Sequence, residues 1–352
     1  MSKTNSMRAW RTHRWGAPRE VLQLDTVPIP ELGDGELLVR NQALPLNLND
    51  MERVTGGNMM VRPELPLIPG MEVFGEVAQA GAGAEAWQGK RVAAVARGAT
   101  GGWAEYSICP AVSAFEVPAD VPLPDAAGLY FPFHLAYLGL VDRAALEAGE
   151  SVLVHAGAGG AGSAAIQLAK QRGARVFATA GTAEKRKLCA DLGADVVIDY
   201  EADDFAQVVM EQTEQRGVDV IFDGVGAVVF EKSMDCAAYN GRYVMIGFAS
   251  DKTRADEPFI VPRRLLAGNL RLCGVLLSYA PDAVIPAMKQ GMGWNFCSNT
   301  LGQKIMDEII ALFRTGEVRA VIGREVPFEK IPEEIEALFG RETVGRTVAR
   351  LG

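Results

Sequence analysis

Histidine and paired cysteine are what this chain has least of. It carries three histidines in 352 residues, and no two of its five cysteines (Cys109, Cys189, Cys236, Cys273 and Cys297) stand at a CxxC spacing. That argues against a disulfide framework and against a cysteine-rich zinc knot. No apolar run reaches the roughly 18 residues that a bilayer-crossing helix requires, so no membrane partner is expected. Residues 1–14 have no hydrophobic core of the secretory kind, and the expected compartment is the cytoplasm. A basic excess is missing too. Against 35 Lys and Arg stand 44 Asp and Glu, a formal net charge of −9, which argues against nucleic acid as a partner.

What is present is a glycine turn in the right setting. An apolar strand pattern at 152–155 runs into Gly157-x-Gly159-x-x-Gly162, and a helical pattern follows over 163–172. Strand, tight turn and helix start form a pyrophosphate cradle. Its lining would be Gly157, Ala158, Gly159, Gly160, Ala161 and Gly162, with the helix N-terminus offering free N–H groups to phosphate oxygens. A bare GxGxxG is weak in a chain with 38 glycines; the flanking strand and helix are what give it weight. Further strands are predicted at 175–179, 195–199, 218–223, 241–246 and 270–276. Helices are predicted between them at 183–192, 204–215 and 229–238. Such alternation predicts a Rossmann-type, doubly wound parallel sheet.

The second strand ends without the acidic residue that usually takes the adenosine ribose of NAD. Ala180-Gly181 stand there, and Lys185, Arg186 and Lys187 cluster in the next helix. A missing acid beside cations suits a 2′-phosphate, so NADPH is the expected cofactor; an ordinary solvated face is the competing account of the cations. Of the histidines, His155 reads as structural and His134 as partly buried, with Tyr137 one helical turn away. The first 130 residues differ in texture. Short β patterns at 36–40, 75–78, 90–95, 104–108 and 114–117 alternate with Gly and Pro turns, which predicts a compact β domain.

In this order the motifs resemble the medium-chain dehydrogenase/reductase superfamily, and within it the zinc-free, zeta-crystallin-like quinone oxidoreductases. The marks are Pro28-x-Pro30 with Gly35-Glu36, Asn47-x-x-Asp50, Pro69-Gly70-x-Glu72-x-x-Gly75-x-Val77, Gly89-Lys-Arg-Val92 and Gly101-Gly-Trp-Ala-Glu-Tyr106. Ala156-x-x-Gly159-x-x-Gly162, Gly193-Ala-Asp195 and Asn240-Gly-Arg continue the series. The resemblance implies an α/β fold: a Rossmann sheet at 129–282 plus a GroES-like β-barrel catalytic domain at 1–128, completed by 283–352. Late strands are expected at 318–322 and 347–350, with a helix at 331–339 between them.

The resemblance also implies site residues. Gly181, Lys185 and Tyr200, with Arg341, would surround the 2′-phosphate. Ile246, Gly247, Phe248, Gly274 and Val275 would flank the nicotinamide. Where zinc-dependent relatives carry their first cysteine and a Gly-His-Glu, this chain has Asn47 and Gly70-Met71-Glu72, and neither an amide nor a thioether is a credible zinc ligand. No metal is therefore expected. Relatives often carry a tyrosine in the following loop, a place held here by Asn58 or Met59. That leaves Asn47 and Asp50 as the candidate catalytic polar groups, Asp50 being equally readable as a helix cap.

The function implied is zinc-independent, NADPH-dependent reduction of a small electrophilic acceptor, a quinone or an α,β-unsaturated carbonyl. Two alternatives stand beside it: an enoyl- or acryloyl-thioester reductase, and a non-catalytic NADPH-binding structural protein. The apolar strand at the sheet edge, residues 269–276, predicts a homodimer.

Overall fold

Six short strands are stacked side by side in the dinucleotide half of the chain, the inner ones buried on both faces. The computed structural model describes residues 6–57, 63–249 and 262–352; Asn58 and Met59 lie outside these described residues. Two units emerge: one formed by residues up to Tyr130 with Ser278–Met306 and Ile322–Gly352, the other by Phe131–Leu277 with Asp307–Val321.

In the second unit the strands are Ser151–Val154, Arg175–Ala180, Val196–Asp199, Val218–Asp223, Ala237–Met245 and Arg271–Gly274. All pair in parallel, in the spatial order third, second, first, fourth, fifth, sixth. Strand order therefore reverses at the first and fourth strands, which is where doubly wound sheets hold ligands. Leu153, Phe177, Ile198, Ile221, Phe230 and Tyr243 pack into one buried cluster.

Local chemistry sets the helix starts. The Thr182 hydroxyl accepts the Lys185 N–H and caps Ala183–Asp191. The Asp204 carboxylate accepts the N–H groups of Ala206 and Gln207 and caps Phe205–Gln212. The next helix, expected at 229–238, runs over Ala227–Asp235. It starts early because Asp223 takes the N–H groups of Val225 and Gly226, and Gly226 tolerates a φ of 90°.

The first unit is built on the long strand Glu36–Pro45. It pairs antiparallel with Glu72–Ala80, Tyr106–Pro110 and the C-terminal Arg346–Arg350. Close approach is enforced at Gly75, where a Cβ would stand 2.1 Å from the Arg40 carbonyl oxygen. The helix Ile331–Phe339 packs Ile331 and Ile335 into the core with Leu44, Val54 and Trp103. The late strand expected at 318–322 instead occupies Ile322–Pro327. The residues before it belong to the other unit: Gln167 receives the Arg319 N–H at 2.8 Å and donates to its carbonyl at 3.1 Å, while Glu308 accepts from Arg172 at 2.5 Å and from Tyr137 at 3.0 Å. Sequence reasoning had placed all of 283–352 with the β domain; these side-chain pairings draw 307–321 to the dinucleotide unit.

His155 is a core residue. It bonds Ser233 at 2.9 Å and Thr179 at 3.3 Å, with its ring edge-on to Phe205. Burial lowers the pKa of His155 and of His134 from 6.5 to about 3. A depressed base contributes stability above the unfolded-state value and loses it as pH falls toward the folded one. The stability of this unit should therefore drop as pH is lowered from 6.5. His155→Gln should flatten that slope by one proton, about 1.4 kcal/mol per pH unit between pH 6 and 4, in urea-unfolding curves. An unchanged slope would contradict a neutral buried imidazole.

Candidate functional site

The glycine turn is shaped by contacts that leave no room for side chains. A Cβ on Gly162 would stand 2.3 Å from the Ala156 carbonyl oxygen, and one on Gly157 would stand 2.9 Å from the Cys189 sulfur. Ala156 itself takes a left-handed φ of 52° to make the turn. Gly159 is different: it caps the helix Gly160–Gln171 in extended conformation and stays half-buried with Gly160 and Ala161. The first N–H groups of that helix have no intrahelical partner, and the helix dipole adds positive potential there. A cradle with these properties fits a pyrophosphate.

Next along the same sheet edge, Asp199 is in register with Ala180. Arg186 donates from one nitrogen to the Gly181 carbonyl and to the Asp199 carboxylate, the latter at 2.5 Å. The Tyr200 hydroxyl lies 3.0 Å, and a Glu201 carboxylate oxygen 2.8 Å, from where a Gly181 Cβ would sit. Lys185 is half-buried in the first turn of the adjoining helix. The structure thus brings Gly181 and Tyr200 together and resolves the cation cluster into members with different partners. Arg186 is held by Asp199, Lys187 reaches Asp191 at 2.6 Å, and Lys185 gives its backbone N–H to the Thr182 hydroxyl at 3.3 Å. Sequence reasoning sought an acid at the end of the second strand and missed Asp199, which reaches the same place from the third. The signal was available: both strands end at one level of a parallel sheet.

On the other side of the first strand, Ile246 donates its N–H to Asp223 and Ala249 donates to Gly224, both at 2.9 Å. Val275 donates to Met245 at 3.0 Å. This ties the half-buried Ile246, Gly247 and Phe248 to the turn after the fourth strand and sets the exposed Gly274 beside them in sheet order. Asp223 anchors the turn by also accepting the Tyr243 hydroxyl at 2.5 Å. All these groups lie at the C-terminal ends of one sheet's strands. Arg341 belongs to the other unit, exposed, with a φ of 61°.

That other unit holds a buried polar lattice around Asn47. Asn47, Asp50, Glu72 and Arg346 are 7%, 0%, 1% and 5% exposed. Arg346 donates to Glu72 at 2.5 Å and to the Asn47 carbonyl oxygen at 3.1 Å. The Asn47 amide donates to Glu72 at 3.0 Å and to the Pro45 carbonyl at 3.3 Å. Asp50 accepts the N–H groups of Asn47 and Met71, both at 2.9 Å, closing a capping box on the helix Leu48–Thr55. Burial raises the Asp50 pKa from 3.8 to about 6. Both candidates for catalytic polar groups are therefore engaged in holding the fold: Asp50 is a cap, and Asn47 can donate to an acceptor only by giving up one of its present bonds. The sequence showed the motif, but the partner Arg346, 299 residues away, was not visible in it.

Comparison with known proteins bears on what this arrangement is. The alcohol dehydrogenase GroES-like domain family matches residues 33–119, and the zinc-binding dehydrogenase family matches 160–289. A quinone oxidoreductase-like protein 2 homolog of Nematostella vectensis is 30% identical, the alignment covering 97% of this chain and 88% of that protein. Prostaglandin reductase-3 of Bos taurus is also 30% identical, over 92% of this chain and 83% of that protein. A mycobacterial protein solved in complex with NADPH is 32% identical, with a TM-score of 0.83 over 98% of this chain and 100% of that one.

The chain is a quinone oxidoreductase-like medium-chain dehydrogenase/reductase.

In this medium-chain dehydrogenase/reductase the dinucleotide sheet and the GroES-like unit are each explained by their own sequence. It is an oxidoreductase by kinship. Replacing one member of a buried ion pair leaves the other charge stranded, at about 3–5 kcal/mol. Arg346→Met should therefore lower the unfolding free energy of the GroES-like unit by about that amount in denaturant titrations. A loss below about 1 kcal/mol would mean that Glu72 finds other compensation.

Proposed function

We propose that this chain is an NADPH-dependent reductase that delivers hydride to quinones or α,β-unsaturated carbonyls without zinc. The observation that carries the proposal is the donor set of the Asn47 lattice. Where zinc-dependent relatives place cysteine and histidine, this chain places an amide and a thioether, Asn47 and Met71. The amide is tied to Glu72 and Arg346, while Met71 is buried and gives its N–H to Asp50. Such donors suit hydrogen bonding rather than tetrahedral zinc. Without a Lewis acid an alcohol is hard to oxidise, whereas an acceptor that is already electrophilic can take hydride.

NADPH is the cofactor, and when bound it supplies the hydride. The residues of this chain bind and orient it. The turn from Gly157 to Gly162 receives the pyrophosphate; Gly181, Lys185 and Tyr200, with Arg341, are assigned to the 2′-phosphate. Ile246, Gly247, Phe248, Gly274 and Val275 flank the nicotinamide. Asn47 is assigned to hydrogen-bond the developing oxyanion, giving up one of its present bonds to do so; Asp50 holds the helix that carries it, and water delivers the proton. Catalysis of this kind is chiefly positioning. The names of the relatives support the acceptor class, one being quinone oxidoreductase-like and another a prostaglandin reductase. We place the protein in the cytoplasm.

Anaerobic oxidation of NADPH and NADH should be followed against 1,4-benzoquinone, 9,10-phenanthrenequinone, an alkenal and crotonyl-CoA. Turnover of the quinones or the alkenal, faster with NADPH, is expected. Lys185→Ala should weaken NADPH far more than NADH. Selective turnover of the thioester would instead make this an enoyl-thioester reductase, and NADPH binding with no turnover would favour a structural role. Equal losses with both cofactors would remove Lys185 from the phosphate site.

The sixth strand, Arg271–Gly274, lies at the edge of its sheet with Leu276 exposed beyond it. An edge strand pairs readily with another chain, and we assign it the contact of a homodimer. Light scattering at micromolar concentration should give twice the chain mass of 37.8 kDa. A monomeric mass would overturn the assignment.

A further inference from the structure

The end of the dinucleotide site assigned to the 2′-phosphate contains more negative charge than a phosphate-binding place needs. Arg186 already satisfies Asp199 and the Gly181 carbonyl. Its charge is thus largely spent within the protein. Lys185 stands half-buried on the same helix, with Glu184 exposed beside it. On the facing loop, the Glu201 carboxylate reaches to 2.8 Å from the Gly181 Cβ position, closer than the Tyr200 hydroxyl at 3.0 Å. The Glu201 side chain is exposed, and its backbone N–H is anchored to the Asp199 carboxylate at 3.1 Å. That bond holds the loop backbone beside Gly181.

We infer that Glu201 is a specificity-determining residue: its carboxylate stands against Gly181 where a 2′-phosphate would sit, and it weakens the preference for NADPH over NADH. The inference rests on the NADPH reading given above. A dinucleotide with a 2′-phosphate must push this carboxylate aside and accept a like charge nearby, whereas a ribose hydroxyl can accept a hydrogen bond from solvent or donate one to Glu201. At an exposed position the penalty is that of a surface charge pair, and salt reduces it.

The test uses the whole protein and fragments that need no turnover. Binding of 2′,5′-ADP and of 5′-AMP is measured by calorimetry for the wild type and for Glu201→Gln, at low and at high salt. Glu201→Gln should tighten 2′,5′-ADP by roughly two- to fivefold, leave 5′-AMP unchanged, and show a smaller gain at high salt. If the wild type prefers 2′,5′-ADP and the variant leaves the ratio of the two affinities unchanged, the inference falls while the NADPH reading stands. Tightening of both ligands alike also overturns it. If neither protein distinguishes the two ligands, both the reading and the inference fall. Because Glu201 is exposed and no core contact depends on it, the variant should fold as the wild type does, which circular dichroism checks.

Discussion

The dinucleotide unit depends on one close approach, that of the helix Gly160–Gln171 to the turn that precedes it. At Gly162 the backbone passes so near the Ala156 carbonyl that any side chain would collide. Bringing the helix start this close aims its unpaired N–H groups at one point, and that point is where strand order reverses in the sheet. Everything else at this edge is placed by reference to it. The groups around Gly181 lie on the side of the second and third strands, and Ile246 to Phe248 lie on the side of the fifth. A single added methyl group at Gly162 would force the helix start and the Ala156 turn apart.

The β unit depends on a different kind of constraint. Arg346 and Glu72 are nearly inaccessible charges joined at 2.5 Å, with Asn47 bridging both. Burying charge is costly unless every partner is present, so the C-terminal strand that carries Arg346 is tied to Glu36–Pro45 and Glu72–Ala80 by chemistry as well as by sheet pairing. The helix at Leu48 is capped from the same lattice through Asp50. An amide, two carboxylates and a guanidinium organise this region through their hydrogen bonds.

Much of this was legible beforehand. Five of the six strands of the dinucleotide sheet were anticipated close to where they lie, because each is a short apolar run bounded by Gly or polar turns. The helix Ile331–Phe339 was read at its observed limits. Errors came where a long-range partner outweighed local pattern. The family resemblance implies a strand at 318–322, yet Arg319 is claimed by Gln167 across the chain. Arg186 and Lys185 look equivalent as neighbours, yet Asp199 engages one of them from an adjacent strand.

By itself, the sequence determined the kind of fold, the glycine turn and the family, because those depend on local steric demands: where only glycine fits, where apolar residues alternate, which motifs follow one another. Only the tertiary structure decided which polar groups meet. Asn47 with Arg346, Asp199 with Arg186 and Glu201 with Gly181 are separated by between 13 and 299 residues. Electrostatic pairing acts through space over a few ångströms, and no spacing along the chain records that distance until the strands are in register.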